Sequence, residues 1–151
     1  MKNLATITLM VALTLCAAAV SAQNTLLSKP SLFSKYPDVI NCTAVQLNIF
    51  FEGDQGKNVK VSINNTFTLA GSIKSKLTKY NNLQSVVIKL PAFNNILLTL
   101  SKRTDKHEII TYVGHLFDNA YADGYELKKI NNDNYQFIKI SMEKILPDCN
   151  Q

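Results

Sequence analysis

Period-two alternation of apolar and polar residues dominates the chain from Thr43 onward, the signature of strands with one buried face. Thr43 to Phe51 places Val45, Leu47, Ile49 and Phe51 on one side. Asn58 to Ile63 sets Val59, Val61 and Ile63 against Lys60 and Ser62. Phe67 to Tyr80 sets Phe67, Leu69, Ile73 and Leu77 against Lys74 and Lys76, and Gly71 is the point where a bend or bulge would break so long a strand. Five further runs follow: Gln84 to Leu90 with Val86 and Ile88, Ile96 to Lys102 with Leu98 and Leu100, Glu108 to Phe117 with Ile110, Tyr112 and Leu116, Gly124 to Ile130 with Tyr125 and Leu127, and Tyr135 to Ser141 with Ile138 and Ile140. Eight strands are expected.

The connections between these runs are short. Asn-Asn pairs recur at 64–65, 81–82, 94–95 and 131–132, each between two apolar runs. Asparagine tolerates the positive φ that tight hairpins require. No connection looks long enough to hold a crossover helix. The expected fold is therefore all-β: an antiparallel up-and-down meander of about eight strands, rolled or closed into a small barrel. Residues 23–42 carry Pro30 and Pro37 and read as an irregular or short-helical lead-in to a single β-domain over 43–151. Val87, Ile109, Val113 and Phe117 put apolar groups on the second face of several strands, which implies a second layer from the lead-in or from the tail Met142 to Leu146.

The first 22 residues have the layout of a cleavable secretory signal: Lys2, an uncharged run from Leu4 to Val20, then small residues at Val20 and Ala22. Cleavage after Ala22 leaves 129 of the 151 residues and predicts an exported protein, periplasmic or secreted, with no stable membrane span. A lipoprotein form acylated at Cys16 is disfavoured by the bulk of Leu15, which precedes the cysteine.

Removing Lys2 leaves 15 basic residues against 11 acidic ones, a net charge of +4. All basic residues but Arg103 are lysines, and they form no tract. Base readers favour arginine, so nucleic acid is excluded as a partner. Of three cysteines only Cys42 and Cys149 survive cleavage, and in an exported chain a pair reads as one disulfide. It would close a loop from 42 to 149, worth about 4–5 kcal/mol in the chain-entropy model. In an even-stranded meander the first strand starts at the end where the last one finishes, which would bring both cysteines together.

Catalytic signatures are missing. His107 and His115 are the only histidines, and on an extended strand they stand about 27 Å apart, too far to share a metal. The loop Asp118 to Gly124 has oxygen ligands and a glycine but lacks the EF-hand spacing. No nucleophile elbow and no glycine-rich phosphate loop occurs. Glu126 and Glu143 are acids that nothing distinguishes as a glycosidase pair. No cofactor is implied. Tyr112, Tyr121, Tyr125 and Tyr135 gather in the last third and form a candidate binding surface. Asn41-Cys42-Thr43 and Asn64-Asn65-Thr66 match the glycosylation acceptor pattern.

The signal ending in Ser-Ala-Gln-Asn and the Lys/Asn/Ile-rich chain after it are similar to exported proteins of Bacteroidota. This resemblance covers the signal and the composition and implies no activity. The functional expectation is a non-catalytic exported binding protein acting through a β-surface or loops, as inhibitor or immunity partner of another exported protein. The alternatives are a carrier with a small apolar ligand inside a barrel, and a small hydrolase of unrecognised class.

Overall fold

A computed structural model describes residues 29–142; the N-terminal apolar run, Cys16, Glu143 and Cys149 lie outside them. The elements are β1 (Val39–Thr43), α1 (Ala44–Glu52), β2 (Asn58–Ser62), β3 (Thr68–Lys79), β4 (Leu83–Leu90), a 3-10 turn (Pro91–Phe93), β5 (Ile96–Thr104), β6 (Ile110–Leu116), β7 (Asp123–Lys129) and β8 (Asn134–Ser141). The strands form one antiparallel sheet in the order β1-β8-β7-β6-β5-β4-β3-β2, curled into a half-barrel. The expected all-β meander of eight strands is therefore the fold.

Its first strand differs from expectation. The run from Thr43 is a helix, and β1 lies just before it, inside the segment read as lead-in. Thr43 and Gln46 explain the helix. Gln46 N–H donates to Thr43 Oγ1 at 3.2 Å, and Thr43 N–H donates to Gln46 Oε1 at 2.9 Å. This reciprocal capping box satisfies two amides that a helix start otherwise leaves unpaired. Leu47, Phe50 and Phe51 then share the buried face at helical spacing, while Val45 stands 76% exposed. An apolar residue at every odd position, with Phe50 added, fits both periods, and the cap decides between them.

The expected layer over the second face is not found among the described residues: Val113 stays 56% and Ile109 42% exposed, and the apolar cover comes from α1 on the inner face instead. Helix α1 lies inside the curl against β1, β2 and β4. The chain leaves β1 at one edge of the sheet and enters β2 at the other, so α1 connects the two edges. Gln46 fastens them: its Nε2 donates to Ser62 O at 3.0 Å and Ile63 O at 3.1 Å, at the end of β2. One side chain thus caps the helix and ties it to the far edge.

One buried cluster fills the interior. Its inward positions include Ile40 and Cys42 on β1, Leu69 and Ile73 on β3, Leu98 and Leu100 on β5, Tyr125 and Leu127 on β7. On β8 the inward face is the opposite of the one expected. Tyr135 and Phe137 point inward, and Ile138 and Ile140 stand half-buried outside. Both faces of this strand are apolar, so alternation alone leaves the register open; the larger aromatic rings take the interior. On β3 the bulge falls between Ile73 and Ser75, not at Gly71. Gly71 is needed for another reason: a Cβ there would sit 2.0 Å from Lys89 O on a neighbouring strand.

Residues 30–38 cross one end of the half-barrel as a strap. Phe33 is fully buried, with ring centroids 5.0 Å from Tyr125 and 5.4 Å from Phe93. Asp123, the one buried acid among the described residues, holds the strap. Its carboxylate accepts from Leu32 N–H at 2.7 Å, Phe33 N–H at 3.0 Å and the Ser31 hydroxyl. Ala122 N–H adds a bond to Pro30 O at 3.0 Å, and the Tyr125 hydroxyl donates to Pro37 O.

The position of β1 undoes the geometric case for a disulfide. Cys42 pairs with Tyr135 at the start of β8, while β8 ends beyond Val39. Met142 is therefore seven strand residues from the level of Cys42, about 23 Å. Strand parity puts Cys42 and the end of β8 at opposite ends of the sheet. Cys42 itself is a buried free thiol, pushed up to about 12 by burial.

Candidate functional site

Strands β6 and β7 pair at only three positions, Gly114 with Leu127, His115 with Glu126 and Leu116 with Tyr125. The flanking ladders β5–β6 and β7–β8 each run through seven. Beyond Gly114 the two strands part. Tyr112 N–H, which the alternation aims at β7, finds the Tyr135 hydroxyl at 3.3 Å instead. On the outer side Lys129 Nζ reaches across the opening to Thr111 Oγ1 at 3.3 Å.

This parting opens a groove of about 680 Å³ on the outer face. Its walls come from alternate positions of adjacent strands. Thr99, His115 and Glu126 stand in register across β5, β6 and β7, and Ile140 of β8 adds to the lining. Ser101 and Val113 form the next pair. Gly114 faces inward at the point where the strands part, and a Cβ there would lie 2.5 Å from both Leu100 Cδ2 and Thr99 O, so β5 and β6 approach closely at this position. The His115 ring stacks on Phe117 at 4.6 Å and 27°. Glu126 and Lys128 form an exposed ion pair at 2.6 Å. Val113 is 56% exposed.

The groove therefore offers an imidazole, a carboxylate, an ammonium and hydroxyls around an apolar centre. Acyl transfer would require a hydroxyl bonded to a positioned base. Among the described residues no hydrogen bond joins His115 to Thr99, Ser101 or Glu126; the ring rests on Phe117 instead. Grooves of mixed polarity on a rigid sheet suit recognition.

The four tyrosines do not form a surface. Tyr112, Tyr125 and Tyr135 are buried in the core, and Tyr121 is half-buried with its hydroxyl accepting from Asn94 Nδ2 at 3.0 Å. Tyr112 and Tyr135 meet edge to face at 5.6 Å. Burial pushes the phenols of Tyr112 and Tyr135 up, and that of Tyr125 up to about 12 with help from the charge of Asp123. They are core aromatics whose hydroxyls complete buried hydrogen bonds.

His107 is exposed in a turn, its N–H bonded to Asp105 Oδ1 at 2.8 Å. Asp118 closes an ordinary turn by accepting from Ala120 N–H at 2.8 Å, while its loop partner Asp123 serves the strap. No cluster of three metal-ligating side chains occurs among the described residues. Asn41 and Asn64 are both exposed, Asn41 beside Gln136 and Asn64 at the head of a turn. Of the groove residues, Val113 shows in the sequence only as an apolar group on a second strand face, and Thr99, Ser101 and Lys128 carry no signal there. Each is an ordinary outward strand position, and only the cross-strand register assembles them.

Among the described residues no helix is long and apolar enough to cross a membrane. No protein-family model, no curated protein and no solved structure matches this chain.

Proposed function

We propose that this protein is an exported, non-catalytic binding protein that holds its partner in the outer groove where β6 and β7 part. The observation that carries this reading is the groove itself, built on paired strands and presenting Val113 and Phe117 among His115, Glu126 and Lys128. The partner is another exported protein, as for an inhibitor or immunity protein. An apolar centre with a charged rim is the usual anatomy of such a contact. The carrier reading is weakened by the interior, where α1 and a continuous aromatic and aliphatic cluster occupy the curl. Export itself rests on the N-terminal signal pattern and its Val20-Ser21-Ala22 exit.

A photo-crosslinking residue at Val113 tests the reading, with the same residue at the distant turn position Asn65 as control. The exported fraction is irradiated and the adducts are read by mass spectrometry. One dominant protein adduct specific to position 113 is expected. Identical adduct patterns at both positions would defeat the groove as binding site. Turnover of an ester or glycoside substrate that is lost in His115→Ala would favour the hydrolase reading instead.

A further inference from the structure

The lysines are scattered through the sequence, but the acids are not. From Gln55 to Thr104 the chain has eight basic residues and no acidic one. The whole chain is +5, so the remaining 101 residues sum to −3. This stretch folds into β2, β3, β4 and β5, four adjacent strands at one side of the sheet. Segregation along the sequence thus becomes segregation in space, with one half of the sheet strongly positive. Charge asymmetry between halves of a domain marks an anionic partner.

The tip of this half is apolar. At the β3–β4 turn Tyr80 is 73% exposed, and Leu77 on the outer face is 58% exposed. Tyr80 holds a φ of +58°, a left-handed conformation that a bulky residue adopts at a cost. Asn81 and Asn82 follow it, so the turn commits its strained position to an exposed ring. Lys79 Nζ lies 5.3 Å from that ring, and Lys79, Leu83 and Arg103 stand in one row across β3, β4 and β5. Thr104 N–H bonds Asn82 O at 2.9 Å and ties the neighbouring β5–β6 turn to the tip. Ile109 in that turn is 42% exposed. Asp105 there has its Oδ1 taken up by the N–H groups of His107 and Ile109.

We propose that this tip docks the protein on an anionic lipid surface, with Leu77, Tyr80 and Ile109 entering the interface and Lys79 and Arg103 meeting headgroup phosphates. Three features select a lipid surface over a protein. The apolar groups are three, Tyr80 and Ile109 on separate turns and Leu77 on the adjoining end of β3, whereas a stable protein contact needs a face of about 800 Å² per partner. The positive half is almost entirely lysine, a residue depleted at protein interfaces but worth about fivefold in partition per side chain near an anionic leaflet. Tyrosine is also a preferred residue of the membrane–water interface. The proposal is independent of the outer groove.

The chain has no tryptophan, so Tyr80→Trp installs a single fluorescent reporter. The protein is purified in the form in which it accumulates and mixed with vesicles of phosphatidylcholine alone or of equal parts phosphatidylcholine and phosphatidylglycerol. The expected result is a blue-shifted emission and co-sedimentation with the anionic vesicles only, weakened at high salt. Leu77→Ser with Tyr80→Ser should lower that binding about tenfold, and Lys79→Ala with Arg103→Ala about 25-fold. All four side chains are outward-facing, so circular dichroism should show an unchanged fold. Every variant carries the same N-terminus as its parent, so the differences report the tip. The proposal is overturned by equal binding to both vesicle types, by no binding, by variants that bind like the parent, or by a blue shift that follows protein concentration without vesicles, which would mean self-association.

Discussion

Removing the carboxylate of Asp123 should release the strap and cost a large part of the protein's stability. Three donors converge on this side chain: Leu32 N–H, Phe33 N–H and the Ser31 hydroxyl. In Asp123→Ala the Phe33 amide is left buried without a partner, and an orphaned buried amide costs about 1–3 kcal/mol. Leu32 N–H and Ser31 are nearer solvent and can turn to water, adding about 1 kcal/mol together. If the strap detaches, Phe33 leaves its aromatic pocket, and emptying a phenylalanine site costs about 3–5 kcal/mol. The first two costs bring a loss of about 2–4 kcal/mol with the strap in place, and detachment caps any further loss at the Phe33 figure. The assay is urea denaturation followed by far-ultraviolet circular dichroism, with limited trypsin digestion alongside. Lys35 is exposed within the strap, so cleavage there should speed up in the variant under conditions that leave the sheet intact. Ser31→Ala should cost about 1 kcal/mol on the same scale. An Asp123→Ala midpoint within error of the parent, with no new cleavage at Lys35, would refute the latch.

Gln46→Ala should destabilise by about 2 kcal/mol, since it removes a cap acceptor and both bonds to the end of β2; Gln46→Glu, which keeps the acceptor and loses the amide donors, should cost less, and equal urea midpoints for all three would deny the tie between sheet edges. Iodoacetamide should label Cys42 only in denaturant and without prior reduction, because the thiol is buried and pushed up to about 12; labelling that requires reduction would mean a bridge. Cys42 and Tyr125 both stay protonated in the fold to about 12, whereas their unfolded forms ionise from about pH 9 upward, so stability should be insensitive to these groups below that pH and fall steadily as pH rises toward 12. A flat alkaline profile in thermal melts would contradict this. Gly71→Ala should cost about 2 kcal/mol or more, because the new Cβ meets backbone at Lys89 O; a neutral effect on the melting temperature would show that the strands separate there freely.

Much of the architecture was legible in the alternation. Seven of the eight strands lie within a residue or two of their apolar runs, since a half-buried strand in a meander writes its period into the local sequence. The Asn-Asn turn at 94–95 adopts positive φ at both residues, the property for which asparagine suits tight turns. The helix was legible too, in Thr43-x-x-Gln46, but the alternation of Val45, Leu47, Ile49 and Phe51 masked it. With β1 placed before the helix, Cys42 lies at the end of the sheet opposite the end of β8, and strand parity no longer brings it toward Cys149, which is outside the described residues.

What the sequence alone determined is the set of short, locally encoded elements, the turns between them and the concentration of charge in one half of the chain. Only the tertiary structure decided the rest. Whether Tyr135 or Ile138 faces inward depends on the neighbouring strand, because both faces of β8 are apolar. Tyr112, Tyr125 and Tyr135 are core residues because the curl closes over them. The groove exists because one ladder stops at Gly114, and Thr99, His115 and Glu126 meet only through cross-strand register. Asp123 and Ser31, 92 positions apart in the chain, meet at one end of the half-barrel. Long-range pairing of this kind leaves no trace in local periodicity, since its energy comes from contacts between segments and not from either segment by itself.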